Sequence, residues 1–240
     1  MPATSTLHQF SAGLNSLQNV NSLPFPHPTQ NGWKVYCENL TIGATYADDA
    51  YWNITDNTGS LAPGAAQSMV ITGDGSVFSG YSLRHVNPSM QFVSSSKEFY
   101  LETRLMLTAT SIPDNAVFVG YTSDNEAMTT TAVNDIDGGH EALGFGMVTQ
   151  DTGISFYSRE DNTMQTISMG GPFTTAVYTT LQCYYDGGSF NLYRDNCFIS
   201  KTAKTKLNAD EGMSAQIFYE AVNAAANTLS IQYLLLAVEL

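Results

Sequence analysis

The chain has 240 residues, of which 22 are acidic and 9 are basic, so its formal net charge is -13 at pH 7. This length is sufficient for one large β-domain with its own hydrophobic core. A strongly negative field repels phosphate, so nucleic acid is excluded as an expected partner. The apolar runs are much shorter than the roughly 20 residues that cross a bilayer, and we expect no membrane span.

Charged residues make up only 13% of the chain, so Ser, Thr, Asn and Gly must supply much of the surface. Such a surface is typical of extracellular proteins and virions. The three cysteines, Cys37, Cys183 and Cys197, form no CxxC pair. We therefore expect free thiols in a protein made in a reducing cytoplasm, with Cys183 buried in an apolar strand. The start of the chain, Met1-Pro2-Ala3-Thr4, does not have the features of a secretory signal.

Residues 1–32 contain no charged side chain and differ in composition from the rest of the chain. Four apolar residues recur there at helical spacing: Leu7, Phe10, Leu14 and Leu17. The proline-rich run from Pro24 to Pro28 would end such a helix. The segment is either a frayed terminus whose apolar side chains pack on the rest of the chain, or an arm that docks on a partner surface. We predict a docking arm over 1–32, because burying it in an interface desolvates no charge.

Residues 33–240 show the period-two pattern of β-strands and are predicted to form one domain. The segment from Glu98 to Leu107 places Phe99, Leu101, Leu105 and Leu107 on one face. Further short strand-like runs cover 116–121, 143–148, 154–157, 176–181, 190–193, 215–219 and 229–233, with Gly-, Asp- and Asn-rich turns between them. Many short strands without helices between them predict an all-β sandwich of two antiparallel sheets.

The long strand 99–107, the hairpin 143–157, the hairpin 181–193 and the closing strand 229–234 resemble the concanavalin A-like lectin and glucanase jelly roll, in its laminin-G-type form. The resemblance covers roughly 34–240 and is one of pattern. It implies a jelly-roll fold. The uncharged leader followed by such a domain also resembles structural proteins of tailed bacteriophage particles.

Glycosidases of the family that this chain resembles carry alternating acids, Glu-x-Asp-x-Glu, on one strand. The nearest match is Glu98-Phe99-Tyr100-Leu101-Glu102, in which Tyr100 replaces the middle acid. The two glutamates share a strand face, with their Cα atoms about 13 Å apart. We interpret them as a solvent-facing pair with Arg104 as neighbour. No other catalytic motif is evident, so the sequence predicts no catalytic residues and no enzyme.

Two further groups of residues suggest binding chemistry. Around the turn Gly138-Gly139, Asp135 and Asp137 have part of the pattern of a calcium loop, but no Glu closes it, and we favour a solvated acidic turn. His140 is interpreted as a surface residue. Tyr51 and Trp52 are candidates for stacking on sugar rings, although core packing explains most aromatic residues. No metal site and no cofactor are predicted.

The function predicted from these features is assembly and binding. The preferred hypothesis is a virion structural protein, a phage head decoration or fibre subunit, that docks through Leu7, Phe10, Leu14 and Leu17. Its partners would be other virion proteins of the shell or tail, and we expect a homo-oligomer. The alternative is a lectin-like module that recognises host surface glycans through Tyr51 and Trp52. A glycoside hydrolase is retained only because the fold permits one.

Overall fold

The computed structural model describes residues 33–39, 52–56, 59–64, 68–76, 79–85, 90–91, 97–123, 141–148, 153–160, 163–207, 212–221 and 227–239. These residues form β-strands and connecting turns, with one 3-10 turn at Ile112–Asp114. Every strand pair is antiparallel, and the strands form two sheets. The predicted all-β, two-sheet antiparallel sandwich is confirmed.

Sheet A contains the first and last described strands of the chain. Its strands are β1 (Trp33–Asn39), β3 (Gly59–Gly64), β4 (Ser68–Gly73), β7 (Phe99–Thr108), β12 (Thr179–Tyr185), β13 (Ser189–Arg194), β14 (Cys197–Ala203) and β16 (Thr228–Glu239). The order across the sheet is β14-β13-β12-β7-β16-β4-β3, and β1 also pairs with β16. The long strand β16 pairs with β7 on one side and, on the other, with β4 and then β1.

Sheet B packs face to face on sheet A. Its strands are β2 (Trp52–Asp56), β5 (Ser79–His85), β6 (Met90–Gln91), β8 (Asn115–Thr122), β9 (Ala142–Met147), β10 (Ser155–Glu160), β11 (Thr163–Ser168) and β15 (Gly212–Ala221). The order is β11-β10-β9-β8-β15-β5-β2, and β6 pairs with β15. The connections β7 to β8 and β15 to β16 therefore cross from one sheet to the other.

Aromatic rings fill the space between the two sheets. Phe190 of sheet A meets Phe156 of sheet B with 5.1 Å between ring centroids. Phe156 in turn contacts Phe145, and Phe190 contacts Phe99. The predicted inward face of β7, comprising Phe99, Leu101, Leu105 and Leu107, is fully buried in this core, and so is Cys183. Alternation along the strands therefore identified the core face.

A buried polar cluster joins the two sheets at one end of the sandwich. Asn115, the first residue of β8, accepts hydrogen bonds at Oδ1 from Tyr219 Oη and Asn227 Nδ2, each at 3.1 Å. Its own amide donates to the Ser111 carbonyl at 2.7 Å. Asn227 stands just before β16, and its carbonyl accepts from the Gly73 N–H at 3.0 Å. The cluster thus ties together two of the connections between the sheets, β7 to β8 and β15 to β16.

The predicted docking arm, residues 1–32, lies outside the described residues. The division into 1–32 and 33–240 therefore stays a prediction.

We expect Asn115→Ala to lower the free energy of unfolding by about 2–4 kcal/mol, because it leaves two buried donors and one half-buried carbonyl without their partner. Tyr219→Phe is the matched control and removes one hydroxyl from the same cluster, at a cost of about 1 kcal/mol. Urea denaturation at neutral pH measures both. Equal, small losses for the two variants would show that the cluster does not hold the crossings.

Candidate functional site

The outward side of sheet B carries a continuous row of residues across five strands. Opposed residues of an antiparallel pair project from the same face, and the registers align Tyr157, Gly144, Gly120, Gln216 and Arg84. The row therefore has an aromatic ring at one end, an amide and a guanidinium at the other, and two glycines between them. We call this surface the Gln216 face.

The two central glycines are required by the close approach of β8 and β9. A Cβ atom on Gly120 would lie 2.3 Å from the Leu143 carbonyl oxygen, and one on Gly144 would lie 2.7 Å from that of Val119. The Cβ on Gly144 would also lie 2.8 Å from the ring of Phe118, so this ring covers the glycine. Because these glycines have no side chains, an aromatic ring lies directly against the backbone of the sheet at this point.

An apolar cluster on this face is separate from the sandwich core. Its buried members are Ala116, Phe118, Ala142, Val148, Tyr157 and Phe218, with Met164 packed against them. The outer face of an antiparallel sheet is usually polar and wet, with alternating inward apolar residues. Here both sides of β8 are buried along its whole length. The Gln216 face is thus built like an interior surface.

Polar groups border the apolar cluster. Gln216 is 0% exposed, and its Nε2 donates to Ser82 Oγ at 2.8 Å. Among the described residues, no hydrogen bond reaches Gln216 Oε1 or the buried Ser214 Oγ. Arg84, directly opposite Gln216, is also buried. Gln216 and Ser214 therefore have buried hydrogen-bonding capacity that the described residues do not use, beside aromatic rings.

The outward side of sheet A carries a different cluster, centred on the buried carboxylate of Glu102. The hydroxyls of Tyr100 and Tyr233 both donate to this carboxylate, and Gln182 Nε2 donates at 3.1 Å. Burial, and then the adjacent charge of Glu102, raise the pKa of Tyr100 well above its usual value. Tyr100 therefore keeps its proton and remains a donor. All these polar groups are satisfied within the protein, which indicates a structural role.

The predicted pair Glu98 and Glu102 shares one face of sheet A, but the expectation that both face solvent is wrong for Glu102. Glu102 is only 2% exposed, because donors from β7, β12 and β16 surround it. Glu98 is half-buried and accepts a hydrogen bond from Tyr184 Oη at 2.7 Å. Arg104 lies over the ring of Tyr178, 5.3 Å from its centroid.

Of the residues predicted to bind glycans, Trp52 is described. It lies on the edge strand β2, half-buried, with its ring edge-on to His85 at 5.6 Å between centroids. It also packs against the sandwich core. Tyr51 lies outside the described residues, as do Asp135, Asp137, His140 and the four docking residues Leu7, Phe10, Leu14 and Leu17. The predictions on these residues stay predictions.

The Gln216 face was not predicted from the sequence. Two local signals point to it in retrospect: a glutamine inside the apolar run of β15, and the alternation of Gly144 and Gly146 in β9. Glycine inside a strand often marks a close backbone approach.

Within the described ranges, no three His, Cys, Asp or Glu side chains are grouped as a metal site requires. In the same part of the chain, no helix is long and apolar enough to cross a membrane.

No family model and no curated protein matches this sequence. Solved structures do match its fold. An endo-1,3-beta-glucanase from Streptomyces sioyaensis superposes with a TM-score of 0.59 at 8% identity, covering 90% of this chain and 99% of its own. The Emp46p carbohydrate recognition domain has a TM-score of 0.57 at 15% identity, with coverages of 83% and 94%. The carbohydrate esterase of Shiga toxin-encoding bacteriophage phi24B has a TM-score of 0.50 at 13% identity, with coverages of 79% and 91%.

These similarities establish the class of fold. The chain is a two-sheet antiparallel sandwich of the concanavalin A-like lectin and glucanase type, as the resemblance in its sequence implied. At these identities the comparison shows the fold and no more than the fold.

The sequence-based prediction that the chain is not an enzyme is wrong. Structures with the same fold include endo-1,3-beta-glucanases, one of them from Streptomyces sioyaensis. The prediction came from the incomplete acidic motif of β7 and from the absence of other catalytic motifs along the sequence. A search for motifs along the sequence misses groups that neighbouring strands bring together from distant parts of the chain, as they do around Glu102 and Gln216.

We expect Glu102→Gln to lower the free energy of unfolding by about 2–3 kcal/mol, because an amide NH₂ would then face a buried donor. Glu98→Gln is the matched control on the same strand face and should cost less than about 1 kcal/mol, since Glu98 is half-buried. Chemical denaturation measures the free energy of unfolding of both variants. A loss at Glu102 no larger than at Glu98 would contradict the structural role of the network.

Proposed function

We propose that the chain recognises carbohydrate on the Gln216 face. The observation that carries this proposal is the buried Gln216 Oε1, which accepts no hydrogen bond from the described residues and lies beside an aromatic floor. A buried acceptor without a donor costs about 1–3 kcal/mol, and the hydroxyl of a ligand would recover that cost.

The chemistry of the face fits a sugar. One side of a pyranose ring presents C–H groups that pack on aromatic faces, and its edge presents hydroxyls. Phe118, Phe218 and Tyr157 supply the apolar floor, while Gln216 and Ser214 supply the polar edge. The net charge of -13 favours a neutral ligand over an anionic one on this face. That lectins and carbohydrate recognition domains share this fold supports the proposal.

The experiment is a glycan array with the full chain, followed by calorimetric titration of the best ligand. Gln216→Met keeps the side-chain volume and removes the acceptor, so we expect binding to weaken about tenfold. Gln182→Met is the matched control, because Gln182 is an equally buried glutamine on the other sheet. Its affinity should be unchanged. Unchanged affinity of Gln216→Met would overturn the proposal.

The same binding experiment distinguishes the Gln216 face from the other candidate sites. Loss of binding in Trp52→Ala with full binding in Gln216→Met would place the site at the predicted Tyr51 and Trp52 platform. A requirement for calcium would implicate the turn at Asp135 and Asp137. Chromatography of the ligand after long incubation with the protein detects hydrolysis. Shorter products would show that the chain cleaves the sugar that it binds.

We further propose that this sandwich is displayed on a phage particle as a head decoration or fibre subunit. The uncharged segment 1–32 and the polar surface composition support this, and a bacteriophage carbohydrate esterase shares the fold. The arm would contact other virion proteins of the shell or tail, with Leu7, Phe10, Leu14 and Leu17 buried in the interface. Several arms of a homo-oligomer would strengthen attachment through their effective concentration.

Removing residues 1–32 should leave a folded sandwich that no longer joins particles. The double variant Phe10→Asp and Leu14→Asp should do the same without a change in melting temperature, because the charges prevent burial of the arm alone. Particle occupancy is measured by quantitative mass spectrometry and folding by circular dichroism. Full occupancy of the truncated chain would rule out docking through the arm, and failure to fold would place the four residues in the core of the domain.

A further inference from the structure

Strand β14 is the outermost strand on one side of sheet A. It pairs with β13, and no other described strand pairs with it. Five of its seven side chains are exposed. The outer edge of such a strand presents backbone N–H and C=O groups to which another chain can bind.

Two adjacent apolar side chains of β14 are exposed to solvent. Phe198 is 58% exposed and Ile199 is 38% exposed, and they are two of the three large hydrophobic residues that are exposed among the described residues. The register between β13 and β14 shifts at Tyr193, so that two residues of β14 oppose one residue of β13. The buried ring of Tyr193 meets the ring of Phe198 edge-on, with 5.5 Å between centroids. We call Tyr193, Phe198 and Ile199 the β14 patch.

Two other outer strands are protected against pairing with another chain. Strand β3 contains Pro63, which has no backbone N–H group to donate. On β11, the side chain of Gln165 donates to the Ala203 carbonyl and accepts from the Thr205 N–H, each at 2.8 Å. The segment that follows β14 therefore lies against β11. The β14 patch has no such protection in the described part of the chain.

The single charged side chain of β14 is already paired within the protein. A lysine on an edge strand usually opposes pairing, because its charge meets a like charge on the second copy. Here Lys201 Nζ donates to the carboxylate of Asp186 at 2.8 Å. Partial burial alone would raise the pKa of Asp186, but the bond from Lys201 and three further donors outweigh it and lower the pKa to about 2. Asp186 therefore stays ionised and offsets the charge of Lys201.

We propose that two copies of the chain dock antiparallel along β14, with Phe198 of one copy opposite Phe198 of the other. Charge complementarity favours a second copy as the partner. Asp195 is exposed and stands three residues before Phe198, and Lys201 stands three residues after it. In this register each Asp195 lies level with Lys201 of the other copy. An ammonium group has three N–H donors, so Lys201 can bind a second carboxylate besides Asp186.

A two-fold contact of this kind closes on itself. Each copy uses the same edge, so no free β14 remains for a third copy. The bulge interrupts regular strand pairing on this edge, and packing of Phe198 and Ile199 against their counterparts supplies most of the contact. The contact involves neither the Gln216 face nor residues 1–32, so it is independent of both proposals above.

Sedimentation of the full chain over a range of concentrations measures the dimer. We expect Phe198→Asp to raise the dimer dissociation constant about a hundredfold, because the contact would then bury two unpaired carboxylates. Val177→Asp is the matched control, since Val177 is 49% exposed but lies outside β14. Its effect should be less than about twofold. Circular dichroism checks that both variants are folded.

The charge contact is tested by Asp195→Asn, which keeps a side-chain oxygen for the Thr180 N–H. The dimer should become about fivefold weaker, because the ion pair occurs twice in the contact. Its affinity should also depend less on salt than that of the unchanged chain. Unchanged affinity in Asp195→Asn would contradict this register.

A disulfide tests the register directly. In a chain carrying Cys197→Ser, Phe198→Cys places two thiols opposite each other, with Cα atoms about 5 Å apart, which is within the range of a disulfide. Mild oxidation should therefore give a covalent dimer. Lys201→Cys in the same background is the control, because its two thiols would lie about 20 Å apart and should not join.

A chain that stays monomeric at all concentrations would overturn the inference, and so would an oligomer that Phe198→Asp leaves intact. If Phe198→Asp does not fold, the oxidation experiment still tests the contact. No covalent dimer from Phe198→Cys, or an equal yield from Lys201→Cys, would exclude the proposed register. These measurements need neither a glycan nor a phage particle, so their outcome is separate from that of the proposed function.

Discussion

The contact between aromatic rings across the two sheets is the interaction on which the rest of the structure depends. Phe190 and Phe156 meet at 5.1 Å between centroids, and each contacts further rings of its own sheet. Large apolar side chains dominate the energy of a core of this kind. These inward residues fill the space between the sheets. The outward residues of each strand are therefore not needed for that core and can vary without changing it.

The two outward faces differ in how their buried polar groups are hydrogen-bonded. On sheet A, the carboxylate of Glu102 receives three donors from the protein itself. On sheet B, Gln216 Oε1 and Ser214 Oγ are equally buried but receive none from the described residues. A satisfied buried network stabilises one conformation, whereas an unsatisfied group costs free energy until a donor arrives. This difference is the reason that we assign a structural role to the Glu102 cluster and propose binding on the Gln216 face.

The fold alone is a weak guide to activity in this class. Glucanases, lectins and carbohydrate recognition domains share the sandwich, all at low identity to this chain. Function in such folds is carried by side chains on one face or loop, and these change without altering the core. For this reason the absence of an alternating acidic motif in β7 did not justify the conclusion that the chain is not an enzyme.

The sequence by itself determined the fold class and the inward face of the strands. Period-two alternation identified Phe99, Leu101 and Leu105 as core residues, because a strand buries every second side chain. It also extended one strand too far: 176–181 was predicted as a strand, whereas β12 begins at Thr179 and Ala176 has a positive φ of 58°. Edge strands such as β14, which is mostly exposed, carry no such alternation and were missed.

Only the tertiary structure decided which side chains meet on the outward faces. Tyr233 lies 131 residues from Glu102, and Ser82 lies 134 residues from Gln216, yet each pair is hydrogen-bonded. Strand order and register set these neighbours, and both depend on the whole chain having folded. Whether a glutamate is solvated or buried, and whether a buried glutamine finds all its hydrogen-bond partners, therefore depends on cross-strand pairs, which a local sequence pattern does not contain.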